Sequence, residues 1–159
     1  MGCRVRGILA VLLLANVVAA QSPRRDEPHP VRVEIVIIAA STTDTSIDDR
    51  LKEIAPVIQK SNPNLIGFKV VEGQNKKVRV GDTGAFKLDG DEEFTVKVDR
   101  GRDKDGSIGL TVSPPGAGEI SYSCTSGKYV PFVTDVTTKT GEKILVAVMA
   151  RPPEPRRKK

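Results

Sequence analysis

The sequence predicts a mainly β domain, sandwich-like, with one amphipathic helix near its N-terminus. Three observations predict it. From Val31 to Ala150 about nine short segments are rich in β-branched residues and separated by Gly/Asp turns. Only the stretch from Ile47 to Ile58 carries apolar residues at spacings of three and four. The run Ile144-Leu145-Val146-Ala147-Val148-Met149 is apolar on both faces, as a central strand requires. One helix among that many strands packs on a face or edge of the sandwich.

Residues 1–20 have the pattern of an export signal. Arg4 and Arg6 precede the apolar run Ile8 to Ala15, and Val18-Ala19-Ala20 supplies the small residues read at cleavage. Cleavage between Ala20 and Gln21 leaves 139 of the 159 residues, enough for one domain with a real core. Retention would leave a short anchor, and the run is too short to span a bilayer comfortably. Cys3 precedes the apolar run and so is not a lipid-attachment cysteine. Residues 21–30 hold three prolines and mixed charge, a leader with nothing to bury.

Val31 to Ala39 begins by alternating and becomes continuously apolar, a strand entering from an edge and finishing fully buried. A polar turn, Ser41 to Ser46, leads into the helix. Ile47, Leu51, Ile54, Ala55 and Ile58 share a face, Ser46 is placed to cap, and Asp48 and Asp49 occupy the first turn. Pro56 costs about 3 kcal/mol inside a helix, so the helix kinks there or stops and restarts. Ser61-Asn62-Pro63-Asn64 ends it.

Strands follow at Ile66–Val71, Lys76–Val80, Gly84–Leu88, Glu93–Val98, Ser107–Val112, Ile120–Thr125, Tyr129–Thr137 and Lys143–Ala150. Asp89-Gly90 and Thr140-Gly141 supply hairpin turns. The single β-rich domain thus covers residues 31–151. Residues 152–159 form a Pro-rich tail ending in Arg156-Arg157-Lys158-Lys159.

The formal charge of +5 comes from the ends of the chain, because residues 31–151 hold 17 Lys/Arg and 17 Asp/Glu. A neutral domain with 4% aromatics and no Trp lacks the footprint of a nucleic-acid binder. Beyond Cys3 only Cys124 remains, which rules out a disulfide within the mature chain. Its place in Ile120-Ser121-Tyr122-Ser123-Cys124 puts it on the apolar side of a strand.

Each candidate site meets an obstacle. His29 is the only histidine and lies between two prolines of the leader, which removes histidine-based triads and zinc sites. Lys139-Thr140-Gly141 is similar to a motif of serine β-lactamases, but no serine has the lysine three residues on that those enzymes need. Asp103 and Asp105 resemble half of a calcium loop. Gly101 stands where the first acid belongs, and Arg100, Arg102 and Lys104 repel a cation, so a solvated turn is expected. Asp89 to Glu93 reads as another turn. Tyr122, Tyr129 and Phe132 fall at spacings suited to the core or to an exposed strip. Paired carboxylates for glycoside hydrolysis would need sugar-stacking aromatics that are scarce here.

Asp49-Arg50-Leu51, Gly67-Phe68-Lys69-Val70-Val71, Val80 to Leu88 and Gly141 to Val146 together resemble a group of uncharacterised bacterial secreted proteins with a β-rich domain. The resemblance runs from Ile47 to Pro152 and implies a compartment and a fold, with no activity or functional residues to carry over. Tyr129 to Pro152 is also similar to the β-rich modules of bacterial envelope assemblies, an analogy of fold alone.

The expected protein is secreted or periplasmic, non-enzymatic and without cofactor, an interaction or accessory domain of the cell envelope. Its expected partner is a protein or an anionic envelope surface, the latter met by Arg156, Arg157, Lys158 and Lys159. An envelope-assembly subunit pairing through a strand edge is the next reading. A small carboxylate-based hydrolase is the third.

Overall fold

The first and last strands of the domain pair at the centre of one sheet. In the computed structural model, which describes residues 29–153, β1 (Val31–Ser41) lies antiparallel to β8 (Lys143–Arg151). β2 (Gly67–Val78) flanks β1 and β7 (Val130–Thr137) flanks β8, giving the order β2-β1-β8-β7. The second sheet is a meander of β3 (Thr83–Lys87), β4 (Glu93–Arg100), β5 (Ser107–Ser113) and β6 (Ile120–Thr125), in that order and antiparallel. The described residues are therefore mainly β, in two four-stranded sheets with one α-helix.

Alternation decides which side chains meet. Val31, Val33, Ile35 and Ile37 of β1 join Ile144, Val146 and Val148 of β8. Phe94, Val96 and Val98 of β4, with Ile108, Leu110 and Val112 of β5, complete one core shared by both sheets. The opposite side of β1 behaves differently along its length. Arg32, Glu34 and Val36 are half-buried, whereas Ile38 and Ala40 are buried. The change occurs because the helical layer covers only the far half of that sheet face. Leu51, Ile54, Ala55, Ile58 and Leu65 pack there on Ile38, Ala40, Phe68, Leu145 and Ala147. The continuously apolar run at the end of β1 thus records a strand covered on both sides.

The helix is shorter than its periodicity suggests. A 3₁₀ turn at Asp49–Leu51 is followed by α1 (Ala55–Ser61), with Pro56 in the first turn of α1. Proline is harmless there, since the N–H it lacks has no intrahelical partner. Ser46 is not the cap. The Asp48 carboxylate accepts from the Arg50 N–H at 3.0 Å, while the Ser46 carbonyl accepts from the Phe68 N–H at 2.9 Å. Ile47 forms an isolated parallel bridge with Phe68 and stays exposed, so it leaves the apolar face.

Two expected strands, Ile66–Val71 and Lys76–Val80, are one. The length of β1 offers β2 a partner throughout, from Ser41 opposite Gly67 to Val31 opposite Val78. A bulge accommodates Val71, with Glu72 opposite Ile37 and Val70 opposite Ile38. The described residues hold eight strands, not about nine. The hairpin turns fall where expected: the Leu88 N–H donates to Glu92 at 2.8 Å and the Thr138 N–H to Glu142 at 2.8 Å. Gly141, at φ 85°, supplies the left-handed residue of the second turn.

Candidate functional site

The antiparallel pairing of β1 with β8 brings both ends of the domain to one end of the two sheets. Val31 opens β1 there, Pro152 and Pro153 follow β8, and Asp99 to Arg102 leave β4. With Val80, Ile108 and His29 these residues line an open cleft of about 550 Å³. Its floor is apolar, because Val31 and Ile108 are core residues whose strands begin at this level. That volume and an apolar lining with a few polar groups are typical of small-molecule sites.

The polar groups of the cleft have defined partners. Asp99 accepts from the Thr111 hydroxyl at 2.6 Å, and the Lys97 ammonium lies 3.8 Å away. The Arg100 guanidinium donates to Asp103 at 3.2 Å. Arg102 and His29 are exposed at the cleft. His29, expected in the leader, is carried by the start of β1 to the rim of the cleft. Among the described residues Asp99 is the one acid lining the cleft, and no second carboxylate among them converges on it.

Asp103 and Asp105 take separate roles. One oxygen of Asp103 accepts from the Asp105 N–H at 3.0 Å and the Ser107 N–H at 2.8 Å, closing the turn between β4 and β5. Asp105 contributes its backbone and leaves its side chain exposed. Among the described residues no group of three His, Cys, Asp or Glu side chains is placed to hold a metal.

The aromatic residues do not form an exposed strip. Phe132 of β7 stacks obliquely with Tyr122 of β6 at 5.1 Å and Phe94 at 6.1 Å, at the border of the shared core. The Tyr122 hydroxyl is buried without a partner among the described residues, and burial pushes its phenol far up. Tyr129 belongs to the other layer and donates to Glu34 at 2.9 Å; burial and that carboxylate push it up to about 12. Cys124 is buried in the shared core, and desolvation pushes its thiol up, the reverse of nucleophile activation.

No family model, curated protein or solved structure matches this chain.

The strand edges differ in what they offer. The outer carbonyls of β3 are occupied, since Gln74 donates to Lys87 at 2.7 Å and the Lys76 ammonium donates to Ala85. β7 carries Pro131, which has no N–H for a ladder. β6 leaves Ile120 exposed beside Ser121 and Ser123. Among the described residues no helix is long and apolar enough to cross a membrane, and Cys124 is free. Residues 1–20 with the Ala20/Gln21 junction, residues 21–28, and Arg156, Arg157, Lys158 and Lys159 lie outside the described residues.

The cleft escaped the sequence reading. Val80, Arg100 and Ile108 carry no local signal, and only the pairing of the first strand with the last joins them to Pro152.

Proposed function

We propose that this protein is an exported, non-enzymatic binding module whose ligand occupies the end cleft. The observation that carries the reading is the lining itself: apolar walls, cations at Arg100 and Arg102, and a single acid bonded to Thr111. Such a site suits an apolar molecule with an anionic end. Among the described residues its lining holds neither a nucleophile beside a base nor two convergent carboxylates. The proposed compartment rests on the signal-like pattern of residues 1–20. The two sheets read as a β-sandwich that serves as the rigid frame. An assembly role through a strand edge rests on the exposed Ile120 of β6, a narrower basis.

The test uses anilinonaphthalene sulfonate, an apolar fluorescent anion, with the exported protein. Saturable fluorescence enhancement, displaced by decanoate and weakened in a folded Val80→Glu variant, is the expected result. Enhancement unaffected by that substitution, or hydrolysis of ester or glycoside substrates by the wild type, overturns the reading.

A further inference from the structure

The uncovered half of the β2-β1-β8-β7 sheet carries an arrangement that is unfavourable by itself. Lys77 of β2, Arg32 of β1 and Arg151 of β8 stand directly opposite one another, on three neighbouring strands. Their inward-facing neighbours, Val31, Val33, Val78 and Ala150, all lie in the shared core, so the three cations share the outer face. Like charges placed directly opposite across strands are destabilising.

Only one carboxylate answers them among the described residues. Glu34 accepts from the Tyr129 hydroxyl at 2.9 Å, and its second oxygen lies 3.7 Å from Arg151. Arg32 takes no part in an ion pair among these residues. The Nε atoms of both arginines are buried and have no hydrogen-bond partner among the described residues. A buried donor left unpaired is costly, and both of these belong to directly opposed residues of a row of like charge. The helical layer stops short of Arg32 and Arg151, since its contacts reach no further than Val36 on β1 and Ala147 on β8.

We propose that Arg32, Arg151 and Lys77 form an oxyanion site that takes a phosphate group on the open face of this sheet. A phosphate presents several acceptor oxygens at once, so one group on this face meets the two guanidinium groups together and neutralises the row. Lys77 adds charge without fixed geometry. The Glu34 carboxylate competes with the ligand for Arg151 and keeps the empty site from being fully cationic. The site is on a different surface from the end cleft and stands independently of it.

The test titrates the wild-type protein with inorganic phosphate while following the arginine Nε–Hε resonances. A second arm measures sedimentation with vesicles of phosphatidylcholine containing phosphatidylglycerol. The expected result is a saturable shift of the Arg32 and Arg151 signals, lost in Arg32→Gln/Arg151→Gln. Glu34→Gln should tighten binding several-fold by removing the competing carboxylate. Response to free phosphate alone assigns a soluble ligand, and response to vesicles as well assigns a lipid headgroup; either supports the site. Should the double variant fail to fold, each single variant should lower affinity. Absence of both responses, or binding undiminished when either arginine is replaced, overturns the proposal.

Discussion

The Thr134 hydroxyl donates to the carbonyl of Ile144 at 2.7 Å, inside the protein. It also accepts from the Val136 N–H at 3.2 Å. Thr134 is 1% exposed and sits where β7 loses register with β8, between Val133 and Thr137. One side chain thus replaces ladder bonds that the irregularity interrupts. Thr134→Val keeps the shape but strands the Ile144 carbonyl and the Val136 N–H. A loss of about 1–3 kcal/mol is expected, from the usual cost of an unpaired buried group. Urea unfolding should show a lower midpoint at unchanged slope, and an unchanged midpoint would refute this role.

Cys124 should be silent toward thiol reagents in the native state. It is 1% exposed, and desolvation holds its thiol above the ordinary range, so both access and thiolate are lacking. Labelling with a chromogenic disulfide should be slow in buffer and should accelerate in step with denaturant unfolding. Rapid native labelling, or a Cys124-linked dimer on non-reducing gels, would contradict this placement.

Asp44 and Lys69 predict an acid-side loss of stability. Their side chains meet at 2.7 Å, and Asp44 also accepts from the Ser46 N–H at 2.9 Å. The Lys69 ammonium is the main cause that lowers the Asp44 carboxyl from 3.8 to about 2, with the Ser46 hydrogen bonds next. A pKa depressed by folding adds stability above the unfolded value, lost as pH falls toward the folded one. The window therefore runs from about pH 4 down to about pH 2. Solvent screens this exposed pair, so the effect is modest. Asp44→Asn should flatten the melting temperature over that window; an unchanged slope would remove Asp44 from the explanation.

Gly67 should not accept a side chain. A Cβ there would overlap the Asp44 carbonyl oxygen, which is backbone and cannot swing aside. Gly67→Ala should therefore cost more than the 0.5–3 kcal/mol of a typical substitution, roughly 3 kcal/mol or above. A variant with wild-type melting temperature would show that the turn from β1 toward β2 can relax.

The carboxylates of the β4–β5 turn should separate by role. Asp103→Ala removes the acceptor for two backbone N–H groups and should cost about 1–2 kcal/mol, with or without calcium. Asp105→Ala should be nearly neutral, because only its N–H is used. A calcium-dependent rise in melting temperature that Asp103→Ala abolishes would restore the cation reading.

Much of the secondary structure was legible because β alternation and turn chemistry are local. Val31 to Ala39 showed where its second face becomes covered, and Asp89-Gly90 and Thr140-Gly141 marked their hairpins. The helix was less legible. Ile47 fits the apolar spacing as well as Leu51 does, yet a bridge to Phe68, distant in sequence, draws it out. Lys76 to Val78 and Gly67 to Val71 looked like separate strands because Glu72 to Asn75 is polar, and only the partner β1 unites them.

Local pattern alone therefore determined that the chain is mainly β with one helix, that Cys124 is buried, and that Asp103 belongs to a turn. Each depends on a residue and its near neighbours, whose spacing fixes the face on which a side chain lies. Tertiary structure decided that β1 and β8 pair at the centre of a sheet. That pairing places His29 and Pro152 on one cleft and Arg32 opposite Arg151. Strand pairing joins residues more than a hundred positions apart, and the register between two apolar strands is chosen by the core they share.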